Sequence, residues 1–271
     1  LGKRTSFSSY CDFFASKIEK NGLSDTLETY LPELLPGWVG SLTHATIHLG
    51  WALEAQNTYM AIEGLAYMAF SYVSCHPERS VAGMAEHKDS FESLLSVASM
   101  WDEHGEGLSR WVESLIADKR EGILAGIHPE LVRSGLQYRV ARMLGQGHPK
   151  MYAIPEWIET KELPECWEQL YRATTLMYLA VPGDFVLLHM ITSLYAMERI
   201  ALHLPVEQQR SVMRCFWIGM TGTLFSRAMF PSAQRLRDVA ATYERLFDNE
   251  NDPAVVAFWD SVVSQVTEDP E

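Results

Sequence analysis

The sequence predicts an all-α fold. Apolar residues recur at three- and four-residue steps along most of the chain, while strict alternation over more than four residues is scarcely found. Apolar residues make up 47% and charged residues 21% of the 271 positions, the balance of a folded globular protein. No Gly/Ser-rich linker, compositional break or internal repeat divides the chain, so residues 1–271 are expected to form a single multi-helix domain.

The elements follow in order. From Ser6 to Lys20, Phe7, Tyr10, Cys11, Phe14 and Ile18 form one apolar stripe, and Asn21-Gly22 ends the helix. Ser24 caps a short helix that stops near Pro32 or Pro36. After Gly37 a helical stretch is expected from Ser41 to Val73, with a break near Gln56-Asn57. Further helices are expected over Asp89–Trp101, Leu108–Arg120, Pro129–Leu144, Pro164–Ala180, Asp184–His203, Val206–Phe230, Ala233–Asp248 and Pro253–Val266. Gln146–Leu163 has prolines and no clean helical period, so a long ordered connection is expected there, placed to lid a pocket.

Charge narrows the partners. Lys plus Arg total 22 against 35 Asp plus Glu, a formal charge of -13, so the chain as a whole repels phosphate backbones and anionic lipid surfaces. Neither nucleic acid nor a membrane is expected as a partner. The four cysteines lie far apart without a CxxC pair, and no apolar run of membrane-spanning length or signal-peptide pattern is present. A cytoplasmic protein is expected. There is no GxGxxG after a strand, no Walker lysine loop and no GxSxG elbow, so dinucleotide, nucleotide and serine-hydrolase sites lack their sequence marks.

Two stretches, Leu42–Leu53 and Phe185–Met197, contain no charged residue, and helices apolar all round are expected to be buried. The first carries His44 and His48, the second His189. A buried imidazole must satisfy both nitrogens, so partners are expected opposite them. His44 and His48 stand four apart and project from one face, a spacing that can present two imidazoles to one ion. No Glu follows His44, so the HExxH pattern of zinc proteases is absent. Glu63 is the lone charge of Tyr59–Ser74 and is expected on a narrow wet edge. His76, His128 and His148 each precede a proline, which places them at helix entrances. His128 is the next candidate ligand after His44 and His189, whereas His87, His104 and His203 are expected in solvent.

Pro36–Glu54 (PGWVGSLTHATIHLGWALE) together with Gly183–Ala196 (GDFVLLHMITSLYA) resembles the questin oxidase-like family. The matching positions are Gly37, Gly40, His44, His48, Leu49 and Gly50, then Asp184, Phe185, Leu188, His189, Thr192 and Ser193. The likeness covers nearly the whole chain. It implies a helical oxygenase that oxidises polycyclic aromatic, anthraquinone-type substrates with Baeyer-Villiger-like ring cleavage and, in some relatives, a histidine-held non-haem iron. It also implies a further N-terminal helical portion with a His-rich motif, so the site is expected to be completed by a segment before Leu1 or by a second copy in a homodimer. Ala45 stands where the family usually has proline, and Met197 offers a thioether that suits soft ions only.

The first functional expectation is therefore an oxygen-using oxidoreductase acting on a small apolar aromatic substrate. His44 and His189, with His48 or His128, hold Fe(II), His44 and His189 carry the chemistry, and NADPH is the candidate electron donor. The second is a non-catalytic helical binder of an apolar ligand in which the same histidines only hydrogen-bond. The third is a metal-free oxidase in which a histidine acts as general base on a phenol.

Overall fold

The computed structural model describes residues 1–247 and, beyond them, the helical residues Pro253, Val256, Ala257 and Asp260. The rest of the helix expected over Pro253–Val266 lies outside the described residues. The all-α expectation holds: the described chain folds into α1 (Phe7–Asn21), α2 (Leu23–Leu34), α3 (His44–Glu54), α4 (Thr58–Ser71), α5 (Ser90–Ala117), α6 (Lys119–Leu124), α7 (Leu136–Gln146), α8 (Pro149–Tyr152), α9 (Glu156–Thr160), α10 (Leu163–Ala180), α11 (Phe185–Ala201), α12 (Val206–Ser226) and α13 (Ala233–Phe247). A small parallel pair joins β1 (Val81–Ala85) to β2 (Ala153–Pro155), with Val81 opposite Ala153. No apolar alternation in Val81–Ala85 or Ala153–Pro155 marks this pair in advance.

The helical stretch that is buried all round is the C-terminal half of α12. From Cys215 to Ser226 every residue is buried, and this run carries no charge. Its hydroxyls are satisfied locally, Thr221 donating to the Trp217 carbonyl and Thr223 to Gly219 at 2.7 Å each. Its glycines are notches: a Cβ on Gly219 would lie 2.4 Å from Trp38 Nε1, and one on Gly222 would lie 2.3 Å from Leu144 Cδ2. Helices α7, α10 and α11 pack around it.

Several expected boundaries move. Asp89 caps one continuous α5 by accepting from the Glu92 N–H, and the helix runs through the expected gap between Trp101 and Leu108 because Gly105 and Gly107 alone do not break it. Pro129–Gly135 forms turns and a short 3-10 segment in place of the first half of the expected Pro129–Leu144 helix. The Gln146–Leu163 connection is ordered, and it is built from α8, β2 and α9. It is a wedge in the core: Met151, Ile154, Trp157 and Ile158 are all buried. Trp157 donates to Ser93 at 3.0 Å, and Arg210 donates to the Lys161 carbonyl at 2.7 Å. Those contacts fix it within the core instead of leaving it as a lid over a cavity.

Candidate functional site

The helix α3 begins from an unusual turn. Ser41, Leu42 and Thr43 all have positive φ, at 51°, 51° and 66°. Such conformations cost L-residues roughly 1–2 kcal/mol each and persist only where surrounding contacts impose them. Trp38 supplies those contacts. Its indole donates to the Cys215 carbonyl at 2.8 Å and stacks on Phe216, while its own carbonyl accepts from Thr46 at 2.9 Å. Just before the turn, a Cβ on Gly40 would meet the Ser71 carbonyl oxygen at 2.1 Å, so only glycine permits this approach to α4. The turn aims the first residue of α3, His44, away from the core.

Asp184 starts α11. Its carboxylate accepts from the Val186 and Leu187 N–H groups at 2.9 and 3.0 Å and pairs with Arg227. Burial pushes the Asp184 carboxyl up, but Arg227 and the two amides outweigh it and hold the group below the ordinary aspartate range. One turn on, His189 donates from Nδ1 to the Phe185 carbonyl at 2.7 Å. A carbonyl can only accept, so the proton of neutral His189 is on Nδ1 and the lone pair is on Nε2.

That lone pair faces His44. The two Nε2 atoms are 2.9 Å apart across 145 positions of sequence. The contact then has a defined sense, with His44 Nε2–H donating to His189 Nε2. Partial burial, and next the proximity of His189, lower the pKa of His44. The lowered value keeps His44 neutral near pH 7, with a ring nitrogen able to accept a proton.

The two helices hold this register along their length. They run side by side in the same direction: His44 meets His189, a Cβ on Gly50 would lie 2.5 Å from Ala196 Cα, and Arg199 lies 3.9 Å from Glu54. Gly50 thus sets the spacing of α3 and α11. Around the pair, Phe185 stands 4.2 Å from the His189 ring centre to centre and is 61% exposed, Leu188 is 43% exposed, and Trp51 on the His44 face is 54% exposed.

The expectation that the histidines are buried is corrected by this exposure. His44 is exposed, and His48 and His189 are half-buried. A stretch free of charge can still present aromatic and aliphatic side chains to solvent, as Trp51 and Phe185 do here.

The four candidate ligands do not gather at one point. His44 and His189 meet, but the ring of His48, turned toward α4, has Nε2 3.7 Å from Glu63 Oε2 and no hydrogen bond. Glu63 is exposed, as its place on a wet edge implied. His128 lines a separate cavity with Arg4 and His76. Two nitrogens 2.9 Å apart would suit adjacent positions on one ion, but Fe(II) needs further protein donors. Among the described residues no group of three or more His, Cys, Asp or Glu side chains could hold a metal ion. The residues present therefore do not fit an iron centre in which His44 and His189 are joined by His48 or His128.

Other histidines do as their prolines suggested. His148 caps α8 by accepting from the Lys150 N–H at 3.2 Å, and His76 precedes a 3-10 turn. His203 is exposed, while His87 is half-buried and contacts Ser93 at 3.1 Å. The sequence reading missed two supports of the pair: the Phe185 carbonyl that fixes the tautomer of His189, and Arg227, which anchors Asp184 from 43 positions away. The i to i+4 step from Phe185 to His189 was legible as a helical neighbour, whereas nothing local marks Arg227.

The fold and site define an all-α protein with a histidine pair clamped between two parallel helices, beside exposed aromatic side chains. The chain belongs to the questin oxidase-like family, which it matches over residues 1–271. This membership points to an oxidoreductase acting on an aromatic substrate. No curated protein and no solved structure matches the chain. Among the described residues no helix is long and apolar enough to cross a membrane.

Proposed function

We propose that this protein oxidises a polycyclic aromatic phenol with dioxygen, and that the His44–His189 pair is the base that prepares the substrate. The observation that carries this reading is the 2.9 Å contact between the two Nε2 atoms, with His189 Nδ1 committed to the Phe185 carbonyl. As His44 Nδ1, the nitrogen of the pair left with a free lone pair, takes the phenolic proton, His189 spreads the positive charge through the Nε2–Nε2 hydrogen bond. The phenolate left behind is electron-rich and is the species that dioxygen oxidises. Phe185 and Leu188 offer an apolar face against which a flat ring system packs.

For a Baeyer-Villiger-like outcome the balance is ketone, dioxygen, NADPH and a proton giving ester, water and NADP+. One oxygen atom enters between the carbonyl carbon and its neighbour, and the other leaves as water. NADPH enters this proposal as a diffusible two-electron donor. No step is assigned to iron, because the donor set does not close. The exposed position of the pair also favours a second reading, a binder of apolar ligands in which the histidines hydrogen-bond without turning anything over.

Oxygen uptake separates the two. With a hydroxyanthraquinone and NADPH, wild-type protein is expected to consume one dioxygen per substrate converted. His189→Ala and His44→Ala are each expected to lower the rate about 100-fold or more, the usual scale for a general base. Chelator treatment is expected to leave the rate unchanged. Substrate binding without oxygen uptake would favour the binder, and loss of activity on chelation would overturn the metal-free chemistry.

A further inference from the structure

A second cavity, remote in sequence from the histidine pair, has a different chemical character. It occupies about 410 Å3 between the first residues of the chain, the segment after α4, the Ala125–Leu131 turn and α7. In a chain of formal charge -13, none of the described residues lining it is Asp or Glu, whereas Lys3, Arg4, His76 and His128 all are on its wall. Arg79 adds a further cation at the rim, donating to the carbonyl of lining residue Gly145 at 2.7 Å.

Arg4 is the most informative of these groups. Its side chain is only 19% exposed, and its guanidinium lies over the Phe70 ring at 5.2 Å. Among the described residues its carboxylate neighbour is Glu130, 3.7 Å from Nε and itself 57% exposed. That separation is beyond a hydrogen bond. Among the described residues the guanidinium makes no hydrogen bond, so a largely desolvated planar cation keeps its forked donors free. The histidines are already oriented: His76 Nδ1 is 2.8 Å from Glu78, and His128 Nδ1 accepts from the Glu130 N–H at 3.3 Å. Apart from Ser74, the remaining side chains of the wall are apolar or aromatic, with Tyr72 and Leu131 among them.

We propose that this cavity is a binding site for an aromatic carboxylate, the carboxylate taken by the Arg4 fork with Lys3 nearby and the ring packed against Tyr72 and Leu131. The volume is that of a pocket for a small ligand, and a guanidinium fork matches a carboxylate with two parallel hydrogen bonds. This proposal does not depend on the chemistry assigned to His44 and His189.

Titration calorimetry of the full chain with 2-naphthoate tests it, with 2-naphthalenemethanol as the neutral counterpart and inorganic phosphate as the bare oxyanion. Naphthoate is expected to bind at least about tenfold more tightly than the alcohol or phosphate, a difference typical of a charge-assisted hydrogen bond. Arg4→Gln is expected to lose about that factor, Lys3→Gln to lose less, and His44→Gln with His189→Gln to lose none. Circular dichroism of each variant checks that it folds, and if Arg4→Gln does not, Arg4→Lys, which keeps charge but not the fork, serves in its place with a loss still expected. Equal binding of acid and alcohol, equal binding of phosphate, an unchanged affinity in a folded Arg4 variant, or a loss in the His44 and His189 variants would each overturn the assignment.

Discussion

At the scale of single residues, the histidine pair depends on groups outside it. Asp184 does two jobs at once, capping α11 and pairing with Arg227, so it fixes where the first turn of the helix begins and hence where His189 points. Asp184→Ala is expected to cost about 1–2 kcal/mol from the lost cap and more from leaving Arg227 without its partner. Urea denaturation measures the stability, and Asp184→Asn, which retains a cap, is expected to recover part of the loss. An unchanged midpoint in Asp184→Ala would show that packing alone sets the start of α11. The cap itself was legible, since Asp before an apolar helical run is an N-terminal signal. The carbonyl that fixes the tautomer of His189 could be inferred from the i to i+4 spacing only once a helix was in place.

At the scale of elements, the meeting of His44 and His189 follows from how closely α3 and α11 approach. Gly50 permits that approach, because a methyl group there would sit 2.5 Å from Ala196 Cα and Cβ. Gly50→Ala should therefore destabilise the fold by about 1–3 kcal/mol, the usual cost of overpacking, despite the better helix propensity of alanine. The check is a paired measurement of stability and oxygen uptake, since helices pushed apart should separate the two imidazoles as well. A stabilised Gly50→Ala protein would contradict this geometry. The sequence made both helices legible through their apolar periodicity and singled out His44 and His189. It did not reveal their exposure: freedom from charge in Leu42–Leu53 marks aromatic and aliphatic surface around Trp51 as well as core. It also left α12 unmarked as the central helix, although Cys215–Ser226 has the same charge-free character. Composition cannot rank three such stretches by depth, because depth is decided by which neighbours fit the notches at Gly219 and Gly222.

At the scale of the whole molecule, protonation links the site to stability. His44, His87, His148 and His203 all have lowered pKa values, in each case first because of burial. An unfolded chain returns them to the ordinary imidazole value near 6.5, so below that pH the unfolded state binds more protons than the folded one. Stability is accordingly complete above about pH 6.5 and declines as pH falls below it. A melting temperature that falls between pH 7.5 and pH 5.5 is the expected result of a thermal scan, and one that rises would show that other groups dominate. The proposed base requires His44 and His189 to act as one acid-base unit, which is tested most directly by following the imidazole nitrogens by NMR through a pH titration. His44 is expected to titrate below the ordinary value in the wild type and to move toward it in His189→Gln, with His189 protonated on Nδ1 at neutral pH. If His44 titrates at the ordinary value in both proteins, or if the neutral His189 carries its proton on Nε2, the two rings do not form the proposed base.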